Sequence, residues 1–129
     1  MIINRDRYLS QIISGKGNGL IKIITGIRRC GKSFLLFNLF YKHLIGSNIP
    51  DNHIIRIAFD DWDSRELCNP DCFMQHLHSR ITDNNATYYL LLDEVQLLHD
   101  FVPVLNGLLR RENLDIYVTG SNSKFLSSD

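Results

Sequence analysis

Scarcity narrows the class of this chain before any motif does. Its 129 residues hold three prolines and one tryptophan, and 14 Lys and Arg balance 14 Asp and Glu. Without a basic surplus there is no whole-molecule field to draw in a polyanion or an anionic membrane, so composition leaves a nucleic-acid partner undecided. No stretch approaches the roughly 18 apolar residues of a membrane span. The opening MIINRDRYLSQ carries charges where a signal peptide needs an apolar run. The odd set Cys30, Cys68 and Cys72 argues against a disulfide framework and fits a reducing cytosol. No N-K-x-D base-reading motif is present to favour guanine. No repeat or low-complexity segment appears, and 44% hydrophobic content suffices for one core. We expect one domain over residues 1–129, soluble and cytoplasmic, with no membrane partner.

What is present alternates. Leu20 to Thr25 form a short apolar, β-branched run ending at Gly26, which reads as a first buried strand. From Lys32, KSFLLFNLFYKHLI spreads apolar residues around most of a helix, and Gly46 to Pro50 end it. Ile54 to Phe59 read as a second strand running into the acidic turn Asp60 to Asp63. Asn69 and Pro70 supply a cap and first-turn proline for a helix striped by Phe73, Leu77 and Ile81. Tyr88 to Leu92 are apolar without alternation, as in a parallel strand covered on both faces. Phe101 to Arg110 read as a helix interrupted near its start by Pro103, and Ile116 to Thr119 as a fourth strand. This order predicts an α/β fold, a parallel sheet with helices on both faces.

GIRRCGKS, Gly26 to Ser33, matches the phosphate-loop pattern G-x-x-x-x-G-K-[ST] and stands after a strand and before a helix. The glycines let successive N–H groups turn toward phosphate, and the next helix offers its positive end. Lys32 reaches the β- and γ-phosphates as a point charge, and Ser33 offers its hydroxyl to Mg²⁺. The nucleotide-binding set is Gly26, Ile27, Arg28, Arg29, Cys30, Gly31, Lys32, Ser33 and Phe34. Within it, Arg28 and Arg29 contact phosphate or a neighbouring subunit, or point to solvent. Cys30, two residues before Lys32 and near a helix start, is either a reactive thiol or filler.

YYLLLDEVQ, Tyr88 to Gln96, sets Asp93 at the C-terminal end of the apolar strand, where open parallel sheets bind ligands. Asp93 is the expected Mg²⁺ ligand, direct or through water. Glu94, one residue on, is placed to take a proton from an attacking water. At the end of the fourth strand, Thr119, Ser121 and Asn122 either sense the γ-phosphate and orient the water or form a plain strand-ending turn.

Together these residues resemble the bacterial and archaeal AAA-type ATPases whose ATPase module precedes a C-terminal domain. GIRRCGKS looks like their Walker A loop, LLLDEVQ like their Walker B, and VTGSNSKFL like their sensor-one strand; the RDRYL segment and the FDDWD turn add to the likeness. The resemblance implies a P-loop NTPase, a three-layer αβα sandwich with the fourth strand between the first and the third. It implies ATP and Mg²⁺ as cofactors, Lys32, Glu94 and Asn122 as catalytic residues, and Ser33 and Asp93 as metal ligands. Gln96, one turn from Glu94, is expected to couple it to a partner. The family continues beyond the point where this chain stops, into a fifth strand, a helical lid, an arginine finger and the C-terminal domain. We therefore expect a truncated core that binds nucleotide and hydrolyses it slowly, with that C-terminal region as partner and a homo-oligomer left open.

Other patterns compete. Cys68, Cys72, His76 and His78 have zinc-like spacing, against a bland reading in which Cys72 and His76 flank the stripe as partly buried side chains. Trp62 among Asp60, Asp61 and Asp63 reads as a solvated turn. A small-molecule kinase and a non-catalytic nucleotide switch are the rival functions. Ile3, Arg5 and Tyr8 lie in a segment fit to border the adenine.

Overall fold

A computed structural model describes residues 13–14, 21–24 and 34–120. The predicted phosphate loop, the Ile3 to Tyr8 segment, Ser121 and Asn122 lie outside the described residues. Four strands, β1 (Lys22–Ile24), β2 (Ile54–Ala58), β3 (Tyr88–Asp93) and β4 (Leu114–Thr119), form one parallel sheet in the order β1-β4-β3-β2. The fourth strand sits between the first and the third, as the resemblance implies.

Alternation along the inner strands sorts side chains to two faces. Ile55, Ile57, Leu90, Leu92, Ile116 and Val118 face one side. There they pack on α2 (Pro70–Arg80) through Phe73 and Leu77 and on α3 (Phe101–Leu108) through Leu105 and Leu108. Ile54, Leu91 and Tyr117 face the other side and meet Leu35, Leu36, Phe40 and Leu44. Helices thus cover both faces of the described sheet, and burying each large side chain contributes roughly 1.5–3 kcal/mol.

The helix under the second face is π-helical over Leu35–Phe40 and continues directly into α1 (Tyr41–Gly46). Helix α2 begins as its sequence suggests: the Asn69 carboxamide accepts from the N–H groups of Asp71 and Cys72 at 2.8 and 3.2 Å, and Pro70 occupies the first turn. Pro103 does not interrupt α3. It is the third helical residue, where no N–H is needed by the helix, and a proline is accommodated in a first turn. The acidic turn also differs, because after Asp60 the chain enters a 3₁₀ stretch, Trp62–Cys68, capped by the Asp61 side chain on the Asp63 N–H. Among the described residues no helix is long and apolar enough to cross a membrane.

Candidate functional site

Parallel strands bring their C-terminal ends to one edge, and the ends of all four described strands meet there. Strand β1 ends at Ile24, whose register partner on β4 is Thr119, and the Gly120 N–H reaches the Ile24 carbonyl at 3.4 Å. On the other side of β4, β3 ends at Asp93, paired with Ala58 of β2. The Phe59 N–H donates to the Asp93 carbonyl at 3.1 Å, so β2 leaves the sheet beside Asp93 and continues into Asp60.

Asp93 is 3% exposed and Thr119 is fully buried. The Thr119 hydroxyl donates to Asp93 Oδ1 and accepts from the Glu94 N–H at 3.0 Å. One hydroxyl therefore fixes both members of the acidic pair from the neighbouring strand. Among the three polar residues singled out at the end of β4, Thr119 is a clasp beneath the pair, while Ser121 and Asn122 lie outside the described residues.

Glu94 takes a left-handed backbone, φ 54 and ψ 51. A side chain other than glycine pays roughly 1–2 kcal/mol for that conformation, so the surroundings must hold it. The Thr119 hydroxyl holds its N–H, and the following 3₁₀ turn, Val95–Leu97, is anchored in the core by Val95. The Gln96 amide donates from Nε2 to Glu94 Oε1 at 2.7 Å. Gln96 thus touches Glu94 itself, which is nearer than coupling across a turn would require.

Asp60, which the sequence places in a solvated turn, is exposed at the rim. Partial burial, then the neighbouring Asp93 carboxylate and more weakly Glu94, raise its carboxyl above the ordinary range. It belongs to the acidic edge, and the signal available in sequence is its place just after the second apolar run. Asp60, Asp93 and Glu94 make this edge negative and oxygen-rich, although among the described residues they do not converge as a three-ligand metal cluster. Phe34, the member of the predicted nucleotide-binding set within the described residues, is 42% exposed where the helix begins.

The zinc-like residues are spread out. Cys72 is exposed on α2, which corrects the expectation of partial burial, and His76 is half-buried one turn along. Burial, with Arg80 nearby, lowers the His76 pKa. Cys68 ends the 3₁₀ stretch with its thiol 3.7 Å from the Phe59 carbonyl, and burial raises its pKa. Among the described residues no three His, Cys, Asp or Glu side chains converge as a metal cluster.

Comparison with known proteins agrees with this architecture. The AAA domain family matches residues 18–129. An uncharacterised protein of Haemophilus influenzae is 31% identical over 128 residues, covering 99% of this chain and 32% of that protein. One of Methanocaldococcus jannaschii is 32% identical over 135 aligned residues, covering 99% of this chain and 26% of its own length. The chain thus spans about a third or less of these relatives. The solved structure of C. elegans PCH-2 matches with a TM-score of 0.61 at 16% identity, over 92% of this chain and 37% of that one, a likeness of fold. The chain belongs to the AAA domain family of P-loop ATPases and is a nucleotide-binding module of that type.

Proposed function

We propose that this module binds ATP with Mg²⁺ and hydrolyses it at the edge formed by the ends of β1, β3 and β4. The observation that carries the reading is the Thr119 clasp. Strand β1 ends beside the residue whose hydroxyl fixes Asp93 and the Glu94 N–H, and the sequence GIRRCGKS begins two residues after Ile24. In this reading Gly26 to Phe34 bind the nucleotide, with Lys32 on the β- and γ-phosphates. Ser33 and Asp93 hold the magnesium ion, which when bound offsets phosphate charge. Glu94 takes the proton of the attacking water, and Asn122 orients that water. Cytoplasmic placement and action through further parts of a longer protein belong to the same proposal.

Titration with a fluorescent ATP analogue in Mg²⁺ tests it, with ATP and GTP as competitors. Wild type should bind and be displaced by ATP, and Lys32→Ala should lose binding. Glu94→Gln should bind normally but fall about 10²–10⁴-fold in single-turnover hydrolysis. Binding without any turnover would favour the switch, and turnover only with an added acceptor would favour the kinase.

A further inference from the structure

Gln96 makes one hydrogen bond through its amide nitrogen, to Glu94 Oε1 at 2.7 Å, while its amide oxygen is buried with no partner among the described residues. Both halves of that description are informative. A side chain kept for packing alone would serve better as methionine or leucine, since an apolar residue of similar shape leaves no buried acceptor unmet. The amide stands here with its oxygen unmet, and what its nitrogen contacts is the Glu94 carboxylate.

The backbone is built for this contact. Residues two apart on a right-handed helix do not face each other. The left-handed Glu94 takes its side chain out of that phase, and the turn after it is pinned by Leu97 N–H to the Glu94 carbonyl at 3.1 Å and Leu98 N–H to the Val95 carbonyl at 3.0 Å. Val95 and Leu98 are buried in the core, so the turn that carries Gln96 is anchored on both sides of it.

We propose that Gln96 is a positioning residue for Glu94, fixing one carboxylate oxygen so that the carboxylate keeps a single orientation at the acidic edge. The inference rests on the ATPase reading, in which Glu94 is the base. An amide that orients the base should act on the rate of the chemical step and leave nucleotide affinity alone, because the nucleotide-binding residues are untouched.

The chain has only three glutamates, Glu66, Glu94 and Glu112, so carbon-13 labelling of glutamate carboxyls gives few signals to assign. At fixed pH, Gln96→Met should move the Glu94 resonance and leave those of Glu66 and Glu112 in place. The Gln96 side-chain amide protons should exchange several-fold faster in Glu94→Ala. In single-turnover hydrolysis Gln96→Met should be slower by about 10- to 100-fold with unchanged ATP affinity, and its melting temperature should equal or exceed that of wild type. Gln96→Leu serves if the methionine variant folds poorly. An unmoved Glu94 resonance overturns the proposal. So does wild-type turnover in Gln96→Met while Glu94→Gln is inactive, an outcome that leaves the ATPase reading intact. Wild-type turnover in Glu94→Gln sinks the ATPase reading first, and the positioning role with it.

Discussion

Two aspartates are buried on neighbouring strands of one sheet, 3% and 4% exposed, and the fold treats them differently. Asp115, near the start of β4, meets the Lys22 ammonium of β1 at 2.5 Å and the Tyr117 hydroxyl at 2.6 Å, and Lys22 also lies 4.6 Å from the Tyr117 ring centre. Asp93, at the end of β3, meets the Thr119 hydroxyl, a donor without charge. Burying a carboxylate is costly unless it is paired and hydrogen-bonded, and Asp115 meets that demand with a full counter-charge inside the fold. The hydroxyl at Asp93 orients the group and adds no charge of its own. The donors described for the two carboxylates thus differ in kind, an ammonium and a phenol at Asp115 and an aliphatic hydroxyl at Asp93, although their burial is nearly the same.

Substitutions can break this contrast. Asp115→Asn removes the counter-charge of a nearly buried ammonium and should cost about 3–5 kcal/mol in urea unfolding, whereas Lys22→Met with Asp115→Leu should recover most of that loss. Nucleotide binding by the folded fraction should be unaffected. Thr119→Val should cost about 1–3 kcal/mol, since a buried carboxylate oxygen and the Glu94 N–H lose their shared partner, and it should weaken nucleotide binding per folded molecule. Equal binding defects in the two variants would erase the distinction.

A smaller effect sharpens the picture at the Asp115 end. Burial first, then the bond to Asp115, push the Tyr117 phenol well above its ordinary value. A raised folded value means that the contribution is whole below pH 10 and is lost as pH rises, because the unfolded chain releases its proton first. Stability should therefore fall above pH 10 by up to about 1.4 kcal/mol per pH unit. Tyr117→Phe should flatten that slope, leaving the weaker contributions of Tyr41 and Tyr89, whose values are also raised.

Much of the sheet was legible because parallel strands covered on both faces appear as apolar runs, and Tyr88 to Leu92 is such a run. The acidic pair was legible for the same reason, since the run ends at Asp93. What escaped depends on register. Lys22 and Asp115 are 93 positions apart and meet only because β1 pairs with β4. A fourth strand read over Ile116 to Thr119 does not include Asp115, which the sheet pairs with Tyr89. Asp60 joins the edge only because Ala58 aligns with Asp93, and the downward contacts of Thr119, whose place at the strand end suggests only a sensing role, need the pairing of β3 with β4. Nothing in LLFNLF distinguishes a π-helical from an α-helical turn.

The left-handed backbone at Glu94 carries an evolutionary consequence. Glycine and asparagine suit that conformation better than glutamate does, so at this position the fold and the chemistry ask for different residues. In the proposed ATPase reading, selection for turnover holds glutamate there against the preference of the backbone. On that reading, a descendant released from such selection would drift first at residue 94 and would gain thermal robustness as it lost the proposed base.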